Sequence, residues 1–328
     1  MSASSMWSVA EADFPSNGSP RQRLGFSLKY AALAPTETNR QPWEFRLADT
    51  HLELLANEDS ALETIDPDGR ELLIGCGAAL HHLKLALKHF GCLGRVELFP
   101  DLDQPGLVAR IHFGFSRERD AQEKLLFEAM TARNANVASL AETPVSEIML
   151  TALSRAVASE RGWLDFAQSE ASRQRVVEIA RADEQPGLRL NRPRPLPMNL
   201  SADGPASRWP KPLFAFGGRN VDSRSVMMEP VRSHSIPAAI LGVVKTKTDD
   251  KHGWLAAGQT LARVVLQAQT LGMSWAFFNP VRRREAREAL RTGVGHKGFA
   301  QVILRFGPLI ADEMVRVNVP NTATATSR

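Results

Sequence analysis

Two segments of the chain repeat their apolar residues at the three- and four-residue spacing of an amphipathic helix. The first, RELLIGCGAALHHLKLALKHFG, covers residues 70–91, and the second, GWLAAGQTLARVVLQAQTLGM, covers residues 253–273. Gly91 and Gly272 follow the last periodic residues, at the position where glycine commonly ends a helix. Each pattern therefore predicts a long helix that stops at a glycine.

These two predicted helices superimpose without a gap, which places Gly77 on Gly258. The elements that follow them are also alike. The first helix precedes RVELFP and LVARIHFGF, and the second precedes MSWAFFNPV, a short charged helix RREAREALRTG, and QVILRFGPL. When the closing strands are aligned on their Phe-Gly pairs, His112 falls opposite Arg305. We therefore predict a duplicated α+β architecture in which each half carries a helix, a strand and a closing strand.

Residues 186–237 interrupt the second copy with a different composition. They contain nine of the 20 prolines, and eight basic residues against three acidic ones. Proline lacks the backbone donor and fixes φ, so this segment is predicted to be neither a continuous helix nor a central strand. Its apolar islands PLFAFGG and SVMMEP indicate a packed lid. The predicted domains are an N-terminal tail (1–22), half one (23–120), half two with the inserted lid (121–312) and a C-terminal tail (313–328).

Composition excludes several classes of protein. Hydrophobic residues make up 43% of the chain and charged residues 23%, as in soluble globular proteins. A net charge of +4 is too small for a dedicated nucleic-acid binder, and no apolar run is long enough to span a membrane. No secretory signal is visible, and Cys76 and Cys92 lack the spacing of a metal or disulfide-exchange motif. We expect a cytoplasmic protein with reduced cysteines that binds neither nucleic acid nor membrane.

The most informative motif lies in LKYAALAPTETNRQPWEFRLADTHLELLA, residues 28–56. An alanine-rich helix runs into a proline and a polar turn, and two alternating strands follow. Thr36, Asn39 and Gln41 carry groups that can hydrogen-bond the edge of a planar heterocycle. The alternative is that Thr36 and Asn39 only build a turn, while Trp43 begins a strand in the core.

The pattern A-P-T-x-x-N-x-Q-P-W-x-F closely resembles the flavin-contacting loop of the nitroreductase superfamily. DPDGRELLIGCGAALHHLKLAL, the second predicted helix and QVILRFG resemble its Acg-like branch. Together these similarities cover residues 23–310. The resemblance implies a nitroreductase-like fold in which two halves form an intramolecular pseudo-dimer, because ordinary nitroreductases are two-fold dimers that hold FMN with both subunits.

The resemblance also implies a set of FMN contacts. They are Pro35, Thr36, Asn39 and Gln41 of half one, beside the flavin ring, and Arg133 and Arg305 of half two, at the phosphate. Half two lacks a counterpart of TNRQPW, and half one has a histidine opposite Arg305, so one site is implied. Arginine offers a phosphate a planar fork of donors that a neutral histidine lacks.

The implied activity is transfer of electrons from NADH or NADPH through FMN to a nitroaromatic, a quinone or a similar small-molecule acceptor. The flavin does this chemistry, so no catalytic side chain is predicted, and no metal site is predicted either. Two alternatives stay open. One is a non-catalytic, flavin-sequestering protein closed by the lid. The other is a flavin-free interaction protein, since of the branch's R-R-T-x-R pattern only Arg133 is present. A pseudo-dimer completes its own core, so we expect a monomer.

Overall fold

The computed structural model describes residues 10–36, 41–57, 66–115, 120–131, 145–183, 240–291, 294–295 and 297–308. The α-helices in these ranges are α1 (Pro20–Ala31), α2 (Arg70–His89), α3 (Ala121–Thr131), α4 (Glu147–Ala156), α5 (Glu170–Asp183), α6 (Lys251–Thr270) and α7 (Arg284–Ala289). The strands are β1 (Trp43–Leu47), β2 (His51–Ala56), β3 (Leu93–Leu98), β4 (Leu107–Phe113), β5 (Gly162–Phe166), β6 (Ile240–Thr246), β7 (Met273–Pro280) and β8 (Phe299–Pro308). Over the described ranges, the helices are all too short or too polar to cross a membrane. The predicted lid at 186–237 lies outside the described residues.

The strands form two four-stranded antiparallel sheets of the same order, β1-β2-β4-β3 in half one and β5-β6-β8-β7 in half two. Their registers also correspond. His112 lies opposite His51, and Arg305 lies opposite Leu241 at the equivalent position. Both second strands shift register at equivalent points, after Leu54 in β2 and after Val244 in β6. The predicted α+β duplication is therefore confirmed.

Helices α2 and α6, each of 20 residues, pack against each other between the two sheets. Their closest approach is at glycines. A Cβ atom on Gly77 would lie 2.2 Å from the carbonyl oxygen of Leu255, and one on Gly258 would lie 1.9 Å from the carbonyl oxygen of Ile74. The two contacts are reciprocal, because Ile74 and Leu255 each lie three residues before the glycine of their own helix. Reciprocal contact between equivalent residues is the property of a two-fold axis.

Helices α2 and α6 end just before the predicted glycines, and α1 begins before the predicted start of half one. Gly91 and Gly272 follow α2 and α6 with φ of 65° and 67°, a conformation that favours glycine. Helix α1 begins at Pro20, and Ser19 caps it by accepting a hydrogen bond from the Gln22 amide. The predicted boundary at residue 22 thus falls inside this helix. Upstream of it, the ring of Phe14 stacks on Phe90 at 4.0 Å, so part of the predicted tail packs on half one.

The two sheets differ in what covers their outer faces, the faces that point away from α2 and α6. In half two, α5 and α7 lie between strands and bury an apolar cluster that includes Leu241, Ile303 and Val176. In half one the corresponding connections, residues 48–50 and 99–106, contain no helix. The outer face of the first sheet is accordingly polar. In the described part of the chain, helices therefore cover the outer sheet face of half two but not that of half one.

Candidate functional site

The loop between α1 and β1, which carries the flavin-like motif, is fixed firmly at its second end. The side-chain amide of Gln41 donates a hydrogen bond to the carbonyl oxygen of Ala32 at 2.9 Å, just after the end of α1. The carbonyl oxygen of Pro42 accepts a hydrogen bond from the Asn57 amide at 3.0 Å. The Pro42 ring packs on Gly75 of α2, where a Cβ atom would lie 3.1 Å from Cγ. Gln41 is therefore held against the end of α1, and the adjacent Pro42 is held against α2.

The other side of the Gln41 amide has an unused acceptor. Its Oε1 is buried and has no hydrogen-bond partner among the described residues. The contact to Ala32 sets this orientation, because only the NH2 group can donate to a carbonyl. A buried acceptor without a donor costs about 1–3 kcal/mol. A bound molecule that presents an N–H group would remove that cost.

The remaining residues of the motif are only partly within the described structure. Pro35 and Thr36 are half-buried at the first end of the loop. Asn39 lies outside the described residues, as does Arg133 of half two. Trp43 begins β1 and is 2% exposed, which agrees with its predicted place in the core under the alternative interpretation of the motif. Gln41 is thus the motif residue whose contacts are best defined.

Arg305 lies in β8, directly opposite Leu241 of β6. Leu241 belongs to the apolar cluster on the outer face of the second sheet, together with Ile303. Cross-strand partners point to the same face of a sheet, so Arg305 also points to the face that α5 and α7 cover. Its neighbours Leu304 and Phe306 point the other way, toward the core cluster that includes α6. Gln41 precedes β1 of the first sheet and Arg305 lies in β8 of the second, where it points away from the helix pair.

A buried polar cluster that the sequence did not predict lies beside the central helices. Glu160, between α4 and β5, is 3.4 Å from Nδ1 of His81 and 3.8 Å from Nη1 of Arg263, measured from the same carboxylate oxygen. The Arg263 guanidinium also donates to the carbonyl oxygen of Ala156, the last residue of α4. Lys84 lies nearby. The cluster connects α2, α4 and α6 through one carboxylate.

The charges in this cluster follow from burial and pairing. Burial alone would raise the pKa of Glu160, but the hydrogen bond with His81 and the positive charges of Lys84 and Arg263 lower it to about 2. Burial lowers the pKa of His81, and this effect outweighs the attraction of Glu160. At neutral pH, therefore, an ionised Glu160 faces a neutral His81 and a charged Arg263.

The two adjacent histidines of α2 are both buried. His81 is 4% and His82 2% exposed. Burial and the neighbouring His81 lower the pKa of His82 to about 3, while its ring is within 3.2 Å of the Ala78 carbonyl oxygen. His81 lies where half two packs on α2, against Glu160, and that packing has no local signal in the sequence.

A second polar network connects the halves at the start of the central helices. Asp249 accepts hydrogen bonds from Trp254 at 2.8 Å, from Gln301 at 3.1 Å and from Arg287 at 2.8 Å. Gln301 in turn accepts a hydrogen bond at 3.0 Å from the buried guanidinium of Arg70 in half one. Arg287 belongs to the short charged helix predicted from the sequence, yet its side chain is only 2% exposed. Its partner Asp249 lies too far along the chain to be recognised from spacing.

The chain is similar over most of its length to mycobacterial proteins. It is 28% identical over 309 residues to the protein named "Putative NAD(P)H nitroreductase Rv3131" of Mycobacterium tuberculosis, covering 88% of this chain and 86% of the relative. It is 24% identical over 312 residues to "Uncharacterized protein Rv3127" of the same organism, covering 88% of this chain and 87% of the relative. No protein-family profile matches the chain. The similarity to Rv3131 confirms the predicted resemblance to the nitroreductase superfamily.

The particular branch follows from a third relative. The chain is 30% identical over 139 residues, 42% of each protein, to "Putative NAD(P)H nitroreductase acg" of Mycobacterium tuberculosis. This similarity supports the Acg-like branch that the motifs indicate. The duplicated α+β fold agrees with the resemblance, because the similarity to Rv3131 and Rv3127 extends over most of the chain and so over both halves.

Proposed function

We propose that this protein is a nitroreductase-like oxidoreductase that binds one FMN between its halves. It passes electrons from NADH or NADPH to a small-molecule acceptor such as a nitroaromatic or a quinone. The observation that carries the proposal is the pair of equivalent halves that meet at α2 and α6, because the resemblance implies FMN at such an interface. Relatives named as NAD(P)H nitroreductases support the reaction class. We propose a cytoplasmic monomer, since the halves complete each other's core within one chain.

The described part of the flavin-like loop fits this cofactor. Flavin presents a ring N–H beside two carbonyl groups, and the buried Oε1 of Gln41 has no donor within the described ranges. Gln41 would therefore accept from the ring edge, while Pro35 and Thr36, with the predicted contact Asn39, would border the ring. When bound, FMN supplies the hydride and electron chemistry. The protein would orient the ring and exclude water, and none of its side chains needs to move a proton.

Arg133 and Arg305 are the proposed phosphate contacts. A guanidinium can donate two parallel hydrogen bonds to phosphate oxygens, and each bond to a charged group contributes about 1.5–3 kcal/mol. Arg305 points to the outer face of the second sheet, beside α5. Its role thus requires the phosphate to reach that face.

The cofactor proposal can be tested by incubating the purified chain with FMN, removing free ligand by desalting, and recording the flavin absorbance band. We expect the wild type to retain FMN, and Gln41→Leu and Arg305→Ala to retain much less. Arg110→Ala is the matched control, because Arg110 is an arginine on β4, the equivalent strand of half one. A colourless wild type would overturn the proposal and leave the flavin-free interaction protein. Full retention by Arg305→Ala would remove only that residue from the site.

Turnover separates the enzyme from the flavin-sequestering protein. The flavin-loaded chain would be mixed with NADH or NADPH and a nitroaromatic or quinone, and nicotinamide oxidation would be followed by absorbance. We expect acceptor-dependent oxidation. A chain that stays yellow but oxidises neither nicotinamide would instead identify the non-catalytic, flavin-sequestering alternative.

A further inference from the structure

Two histidines face each other across strands β2 and β4 on the outer face of the first sheet. His51 and His112 are direct partners in the register. The amide of Phe113 donates to the carbonyl oxygen of Thr50 at 2.8 Å, so the His51–His112 pair is of the non-hydrogen-bonded type, in which opposite side chains stand closest. Their ring centroids are 5.8 Å apart, and the side chains are 30% and 29% exposed.

We propose that His51 and His112 form a binding site for a divalent transition metal of the Ni2+, Cu2+ or Zn2+ type. Imidazole nitrogen is a preferred ligand of these ions. Opposite Cβ atoms in such a pair are about 4.5–5.5 Å apart. Rotation about the side-chain bonds can bring one nitrogen of each ring to about 2.0–2.1 Å from a shared ion. The strands set the spacing, so the backbone need not move.

The surroundings offer a third ligand. Oε2 of Glu97 lies 3.3 Å from Nε2 of His112, close enough for both atoms to bind one ion. Oε1 of Glu53 lies 3.9 Å from Nε2 of His51, but it also pairs with Arg110 at 2.8 Å. Arg95 pairs with Glu97 at 2.7 Å. Two carboxylates thus balance the two guanidinium groups.

Across the described ranges, no three such side chains already converge on one point. The two imidazoles would therefore bind first. Water would complete the coordination, and Glu97 would turn inward from Arg95 to support it. This predicts a site of moderate affinity that exchanges its ion with solvent.

The site is particular to half one. At the equivalent positions half two has Leu241 and Arg305, and α5 and α7 cover that face. Within the described residues no helix covers the outer face of the first sheet, and both histidine side chains are partly exposed, so an ion can reach them. The two histidines lie far apart in the sequence, which explains why spacing alone predicts no metal site. The competing interpretation is an ordinary polar sheet surface with no bound ion.

The test is calorimetric titration of the untagged full chain with NiCl2. We expect one Ni2+ per wild-type chain, and loss of this binding in His51→Ala and in His112→Ala. His252→Ala is the matched control, since His252 is an exposed histidine outside the pair, and it should bind as the wild type does. Glu97→Gln should weaken binding about tenfold, as loss of a supporting carboxylate does.

Two results would overturn the proposal. One is a wild type that binds no Ni2+, and the other is unchanged affinity in either pair variant. Thermal unfolding of each variant checks that it is folded, which we expect because both side chains are partly exposed. The ring signals of His51 and His112 in NMR spectra give a second readout, because paramagnetic Ni2+ should broaden them before those of His252.

Discussion

Glu160 stands in half two where Gln41 stands in half one, each two residues before the first strand of its sheet. Each position lies near the end of the helix that precedes it, but a different side chain donates to the carbonyl group there. In half one the Gln41 amide donates to the carbonyl oxygen of Ala32, next to the end of α1. In half two the Arg263 guanidinium donates to the end of α4, and Glu160 pairs with that guanidinium. Half one thus keeps a neutral side chain with an open acceptor, and half two has an ion pair.

The Glu160 pair should make stability fall in acid. The pKa of Glu160 is lowered from 4.5 to about 2 in the folded chain, so its contribution is present above pH 4.5 and is lost as the pH falls toward 2. A difference of this size corresponds to about 3 kcal/mol. Glu160→Gln should be less stable than the wild type at neutral pH, and the gap should narrow between pH 4.5 and 2. Urea unfolding across this range measures both. Parallel curves for the two proteins would contradict the assignment.

Gly77, at the point where α2 crosses α6, should not tolerate replacement by a residue with a Cβ atom. Gly77→Ala places a Cβ atom 2.2 Å from a backbone oxygen of α6, and backbone cannot move aside as a side chain can. Overpacking of this kind costs about 1–3 kcal/mol, which exceeds the gain of about 1 kcal/mol from the better helix propensity of alanine. Gly106→Ala is the control, because its nearest contact would be at 3.7 Å. The denaturant midpoints of the two variants should differ. Equal midpoints would show that the helices can separate at no cost.

Arg70 should be far more important for stability than an exposed arginine on the same half. It is 2% exposed, and its guanidinium donates to Gln301 of half two and to Glu71. Arg70→Met leaves the Gln301 acceptor buried without a donor, while the partly exposed Glu71 can be hydrated, and we expect a loss of about 3 kcal/mol. Arg95→Met breaks only a surface pair and should cost about 0–1 kcal/mol. Urea unfolding checks both values. Similar midpoints would mean that the connection between halves contributes little.

The two cysteines should not react in the folded protein. Both are fully buried, and burial raises the pKa of Cys76 to about 12 and raises that of Cys92 as well. The thiolate is the reactive form, so a thiol reagent at mildly alkaline pH should label neither residue. Both should react once the chain is unfolded in guanidinium chloride, which is the control. Rapid labelling of the native chain would show that half one opens locally around α2.

The parts of the fold predicted from sequence are those with a strong local period or an internal copy. The periodicity of α2 and α6 predicted both helices, and their glycines marked both ends. Alignment of the two copies predicted that His112 and Arg305 hold equivalent positions, which the register confirms. These features depend on neighbours along the chain, or on a comparison of the chain with itself.

The features that the sequence did not reveal depend on contacts between distant segments. Burial of His81 and of Arg287 results from packing against elements far along the chain. The sequence around each of these two residues gives no local sign of its distant partner. The Gln41 motif was recognised through its resemblance to a known loop, and its contact with Ala32 needed the structure. The roles of Asn39, Arg133 and Arg305 in binding FMN stay predictions.

The reciprocal contact of Gly77 with Gly258 has a consequence for how this protein can change. In a homodimer one gene encodes both sides of the axis, so every substitution at the interface occurs twice. Here each side has its own codon. Half two could therefore acquire helices over its outer sheet face while half one kept a charged surface there, and Glu160 could diverge from Gln41. A single substitution in this chain tests one side of the axis and leaves the opposite side as an internal reference.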